Sequence, residues 1–289
     1  MQLPKFLHAI RRVLGDALGH FNADDGWAMA SHLALSALLA LFPFLIFATT
    51  LASFFSTKDF AETAVHLIFD TWPKEIAEPI ADEVEDVLTI PRGDLLTFGA
   101  ALAFYFASNG VEALRTSLNR AYRVAETRSI IFRRLQSLAF VLVATIGLIV
   151  ISVLLVFAPR IVAFAETQFD WIKLYIGTIT TWRLIIASII IVLALFSVHK
   201  WLPDGDRTIG SMLPGIAFTL IGWLVGSLAF AAYLDSFASY VTTYAGLASI
   251  MVALIFLYIL SVIFIIGGEL NAAISRYREA RTRVEPTED

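Results

Sequence analysis

Apolar residues run through this chain in long blocks. They do not alternate as strands do, and they do not narrow to the single stripe of a soluble helix. Six blocks, 27–55, 95–114, 137–157, 184–198, 209–234 and 247–273, come near or exceed the roughly twenty residues of a bilayer crossing. A β-barrel would show period-two alternation, which these blocks lack. The pattern therefore predicts an all-α, polytopic membrane protein with six transmembrane helices and amphipathic surface helices.

The segments between the blocks follow a different rule. Residues 5–21 put Phe6, Ile10, Val13, Leu14, Ala17, Leu18 and Phe21 on one helical stripe, with Lys5, Arg11 and Arg12 elsewhere. This predicts an amphipathic helix that lies on the membrane surface or packs against the rest of the protein. The first block, at about 43 Å of helix, exceeds a hydrocarbon core of about 30 Å, and Pro43 near its middle predicts a kink. The third block is expected to end at Pro159. In the fifth, Pro214 and Gly215 precede a GxxxG spacing at Gly222 and Gly226. With Thr219, these glycines form a small-residue stripe suited to close helix packing, within the chain or against a second copy. Three regions result: a cytoplasmic amphipathic segment 1–26, a transmembrane domain 27–275 with an acidic insert 58–94, and a charged tail 276–289 expected to fray.

Charge sets the orientation. The chain has 289 residues and a formal net charge of −4, but its cations are segregated. Of 21 Lys and Arg residues, 15 fall on the side that holds both termini and 6 on the other. The positive-inside asymmetry places both termini in the cytoplasm. The insert, with ten acidic residues, is then an external solvated cap, because no calcium-loop motif organises its carboxylates.

The stretch ASNGVEALRTSLNRAYR, 107–123, carries the strongest chemical signal. It leaves the second apolar block as a polar helix. Glu112, Thr116, Asn119, Arg120 and Arg123 project on Asn109's face, and Glu112 and Arg115 are spaced to pair. Counting down each span puts His32, Asn109, Glu112, Arg115, Asn119, Glu269 and Asn271 in one cytoplasm-proximal layer. Ionisable groups at such a depth face a partner helix or a wet cavity. The layer either receives a headgroup, ion or proton, or locks helix ends together. In the first case Arg115 or Arg120 is the candidate phosphate partner.

Enzyme chemistry finds little support. Cysteine is absent, the five histidines form no HExxH-like motif, and no Walker loop is present. No catalytic residue, metal ligand, cofactor or nucleic-acid module is predicted.

Three stretches together resemble the YihY/BrkB family of six-span inner-membrane proteins, once labelled ribonuclease BN. They are DDGWAMASHLALSALLALFPFLIF (24–47), the 107–123 stretch, and YAGLASIMVALIFLYILSVIFIIGGELNAAI (244–274). His32 departs from the aromatic residue expected in the first. The resemblance implies a bacterial inner-membrane location and envelope roles such as lipid transport. The expected function is transport of an envelope lipid or another amphiphile, directly or as a pathway component. Alternatives are a membrane scaffold and a small-solute or ion-coupled carrier. Expected partners are membrane lipids, with a homo-oligomer or an envelope protein as further candidates.

Overall fold

The computed structural model describes residues 3–55, 93–236 and 245–284. The acidic insert and the turn before the last helix lie largely outside these residues. Among these residues eight α-helices follow in order: α1 Leu3–Ala23, α2 Gly26–Phe55, α3 Gly93–Ala121, α4 Ile130–Ser152, α5 Ala158–Gln168, α6 Ile176–Trp201, α7 Ile209–Ser236 and α8 Ala245–Val284. A π-helical turn, Val153–Phe157, joins α4 to α5, and a 3₁₀ segment, Asp170–Tyr175, leads into α6. No strand occurs among the described residues.

Among the described residues, four stretches are long and apolar enough to cross a membrane: Ile130–Glu166, Ile176–Trp201, Ile209–Leu234 and Ile250–Arg281; a shorter apolar stretch is Gly26–Leu41. Three boundaries differ from expectation. Pro159 does not end the third span: the π turn absorbs the irregularity, and Pro159 sits at the start of α5, where its missing N–H costs nothing. Helix α6 begins at Ile176, eight residues before the apolar block that predicted it. Residues 276–284 continue α8. Helix α2 runs through Pro43.

The packed core sits at one end of the bundle. It combines Phe21 of α1, Ala30 and Leu33 early in α2, Ala113, Leu118 and Ala121 late in α3, Leu195 late in α6, Met212 and Ile216 early in α7, and Phe264 and Ile265 in α8. By contrast, Val143, Ile146 and Ile149 of α4 and Ile221, Leu224 and Leu228 of α7 stay exposed. Such broad apolar surfaces are stable against lipid, not water.

Helices α7 and α8 make the closest backbone approach. A Cβ added to Gly215 would lie 2.0 Å from the Gly267 carbonyl oxygen, and one on Gly267 would lie 2.2 Å from Thr219 Oγ1. Gly222 and Gly226 meet Ile263 of the same chain. The small-residue stripe is thus filled by α8 and is not left open for a second copy. Trp223 Nε1 donates across this interface to the Leu260 carbonyl at 2.9 Å.

Helix α1 divides its stripe. Ala17 and Phe21 are buried, while Leu7, Ile10, Leu14 and Leu18 remain exposed. Its C-terminal half packs against α8 and α2, and the remainder presents an apolar face.

Candidate functional site

The C-terminal third of α3 organises the polar end. Its last turn closes with Val124 N–H donating to the Asn119 carbonyl at 2.9 Å and Arg123 N–H to the Arg120 carbonyl at 2.8 Å. This Schellman pattern needs a left-handed residue, and Arg123 supplies it at φ 59°, a position that glycine usually takes. Asp16 of α1 holds the Arg123 guanidinium at 2.9 Å and so anchors the strained residue.

Arg115 is 1% exposed and is held by its neighbours through both terminal nitrogens. Nη1 donates to Glu112 Oε1. Nη2 donates to the Arg133 carbonyl at 3.1 Å, Gln136 Oε1 at 3.0 Å and Ser137 Oγ at 3.1 Å. Ser137 Oγ also donates to Glu112 Oε1 at 3.1 Å. One buried cation therefore stitches α3 to α4. Its position leaves no approach for a phosphate.

The loop between α3 and α4 extends this knot. Arg128 grips Glu126 through Nε at 2.7 Å and Nη2 at 2.8 Å, and also donates to the Leu202 carbonyl at 2.7 Å. The Arg128 hydrogen bonds draw the Glu126 carboxyl down to about 2. Asn119 donates to Glu126 Oε2 at 2.9 Å and accepts from Asp204 N–H at 2.8 Å. Asp204 in turn takes bonds from Thr127 Oγ1 at 2.5 Å and Thr127 N–H at 2.7 Å, which hold its carboxyl at about 2. The α3–α4 and α6–α7 loops are thereby tied to each other.

Glu269 and Asn271 belong to two other groups. Glu269, 1% exposed, pairs through Oε1 with His20 Nδ1 at 2.9 Å, and Arg123 stands 3.7 Å from Oε2. This links α1, α3 and α8. Asn271 accepts from the Gly215 N–H at 2.6 Å, next to Pro214 in α7. It donates to the Tyr122 hydroxyl at 3.1 Å, which shares a hydrogen bond with His199 Nδ1 at 2.7 Å. Burial pushes the Tyr122 hydroxyl up to about 12, so it stays protonated. Arg207 lies over the same ring, 4.2 Å from its centroid.

A cleft of about 340 Å³ lies on the other side of Glu112, between α2 and α3. His32, Ser36, Asn109, Glu112 and Thr116 line its polar part, and Leu39, Phe106 and Ala113 its apolar part. The helices run antiparallel, and Gly110 approaches Ser36, which sets the register. His32 thus faces the Glu112–Thr116 level and Leu39 the Phe106 level. The lining grades from polar to apolar over about 15 Å, the rise from Thr116 to Phe106.

The residues expected to share one layer fall into separate groups. His32, Asn109 and Glu112 share the cleft. Arg115 and Asn119 belong to the knot, Glu269 to the α1 anchor, and Asn271 to the α7–α8 contact. Arg120 is exposed, with one 3.4 Å bond to the Asp24 carbonyl. The sequence reading missed His20, Tyr122, Glu126, Arg128, His199 and Asp204. The only signal for the loop residues is a Glu-x-Arg triplet and an Asp after a proline, too common to single out. Among the described residues no cluster of His, Asp and Glu has metal-holding geometry.

A bundle with apolar flanks and an internally satisfied polar end is a helical membrane protein. The family follows from comparison with known proteins: the chain matches the virulence factor BrkB model over residues 17–289 and belongs to that family. It is 30% identical to the putative ribonuclease-like protein YfkH of Bacillus subtilis (strain 168), over 92% of this chain and 96% of that one. It is 23% identical to a UPF0761 membrane protein of Vibrio vulnificus (strain YJ016), over 100% of this chain and 89% of that one. A UPF0761 membrane protein of Rhodospirillum centenum is 26% identical, over 99% of this chain and 62% of that one. No solved structure matches.

Proposed function

We propose that this protein carries an envelope lipid or similar amphiphile in the bacterial inner membrane, alone or as a component of a transport pathway. The observation behind this reading is the graded cleft between α2 and α3. Its polar end offers His32, Ser36, Asn109, Glu112 and Thr116, and its apolar end Leu39 and Phe106. A headgroup suits the first and the start of an acyl chain the second. At about 340 Å³ it is at the small end of ligand pockets, which run from about 300 to 1,000 Å³. It fits a headgroup and leaves the chains in the bilayer.

On this reading α2 and α3 complete six spans, both termini are cytoplasmic, and the cleft opens near the inner interface. The arginine excess on that side supports the orientation. The protein is not an enzyme, and any driving force comes from an ion gradient or a partner, since the sequence has no Walker loop.

The test is translocation of a short-chain fluorescent phospholipid in proteoliposomes. Wild-type protein is expected to move the lipid and Leu39→Trp, which fills the apolar end, to move much less. Movement equal to that in protein-free liposomes would sink the carrier reading and favour a scaffold.

A further inference from the structure

We infer that the cleft selects a zwitterionic headgroup with a primary ammonium, of the phosphoethanolamine type; this rests on the carrier reading above. Charge placement is the reason. Among the described residues, the only formally charged side chain that lines the cleft is the Glu112 carboxylate. Both bonds to it, from Arg115 and Ser137, land on Oε1. Oε2 receives no hydrogen bond among the described residues, and the side chain is 23% exposed. Arg115, the nearest cation, is already engaged by Oε1 and by the acceptors of α4, which leaves Oε2 without a cation of its own. The cleft therefore offers a part-open anionic acceptor with neutral oxygen and nitrogen groups around it: Ser36, Asn109, Thr116 and His32.

Such a lining suits an ammonium that donates several N–H bonds. It does not suit a quaternary ammonium, which has no N–H and is held by an aromatic cage. Phe106 is the only six-membered aromatic ring in the lining. Nor does it suit a headgroup whose sole charge is negative.

The phosphate partner stands at the rim. Arg134, on the exposed face of α4, donates through Nη1 to Asn109 Oδ1 at 2.8 Å and Ser108 Oγ at 3.0 Å. Its Nε and Nη2 take no bond among the described residues. Asn109 and Glu112 are one helical turn apart, a Cβ separation of about 5–6 Å. A two-carbon bridge between phosphate and ammonium covers that distance. Arg134 would take the phosphate, Glu112 the ammonium, and Leu39 with Phe106 the first part of a chain.

The experiment is native mass spectrometry of the purified full-length protein with an equimolar mixture of ethanolamine, choline and glycerol phospholipids of identical chains. Wild type is expected to retain the ethanolamine lipid over the other two by about tenfold, the effect of one charge-assisted hydrogen bond. Arg134→Gln should weaken ethanolamine and glycerol lipids alike. Glu112→Gln should flatten the preference. If that variant does not fold, His32→Lys at an exposed position provides the same test by adding a cation, and should shift retention to the glycerol lipid. A wild-type preference for the glycerol lipid, or an ethanolamine preference unchanged in His32→Lys, would overturn the assignment. The Leu39→Trp variant separates the two levels of the argument. Lower retention of every lipid supports the cleft as the lipid site, whereas unchanged retention removes the carrier reading itself. Full displacement by free phosphoethanolamine would keep the headgroup class and make the substrate soluble.

Discussion

Glu112 stands between two polar regions built to opposite rules. On one side lies the knot of Arg115, Glu126, Arg128 and Ser137, in which almost every donor meets an acceptor from another helix or loop. On the other lies the His32 cleft, in which Glu112 Oε2 and several neutral groups face open space. Both regions are polar, and both use Glu112. Polarity inside a membrane protein therefore does not by itself mark a binding site; unmet hydrogen-bonding capacity beside an opening does. The knot holds α3, α4 and the loops in place, and the cleft uses the wall so formed.

The sharpest way to break this contrast is Arg115→Ala. It leaves Glu112 short of its buried partner and frees Ser137 and Gln136, at a cost of about 3–5 kcal/mol. The expected result is loss of monodisperse protein after extraction, seen by size-exclusion chromatography. A well-folded variant would show the knot to be dispensable. Gly215→Ala comes next. Its methyl would meet the Gly267 carbonyl at 2.0 Å, so α7 and α8 must part, at about 1–3 kcal/mol. A lower Tm is expected, with Gly222→Ala milder because it meets the side chain of Ile263, not backbone.

Acid should loosen the loop part of the knot. Glu126 has a carboxyl pKa of about 2 instead of 4.5, and Asp204 of about 2 instead of 3.8. A depressed carboxylate contributes stability above its ordinary pKa, and that contribution is lost as pH falls through the folded value. The loop contacts should therefore hold at pH 5 and weaken between about pH 4.5 and 2. Fluorescence of a variant retaining only Trp201, whose carbonyl accepts from Arg128 and Gln136, would report this. An unchanged signal down to pH 2 would mean that these carboxylates do not hold the loops. The smallest stability effect belongs to His32→Ala, within about 0.5 kcal/mol, because the side chain is exposed at the cleft. Its Tm should match wild type while lipid retention changes; a large fall in Tm would place His32 with the knot.

Glu269 shows how the two rules are told apart. Depth alone left it as either a headgroup ligand or a lock. Its bond to His20 and its approach to Arg123 make it an anchor for α1, buried away from the cleft. Glu269→Ala is therefore expected to lose folded protein before it loses any specific activity.

Residue order alone makes legible the helical membrane class, the apolar blocks, the Glu112–Arg115 spacing and the close-packing stripe of α7. These are properties of position along one helix, and residue spacing encodes them. It also misjudged Pro159, because a π turn lets the helix continue through a residue that normally ends it. Which of the polar residues meet is settled by packing in three dimensions. His32 joins Glu112, while His20 joins Glu269 across 249 positions of chain. Asn119 and Asp204 are brought together by two loops with no recognisable motif. Depth is a count of residues from an interface. Lateral neighbours depend on the order and rotation of all the helices, a collective result of packing that no single stretch of sequence carries.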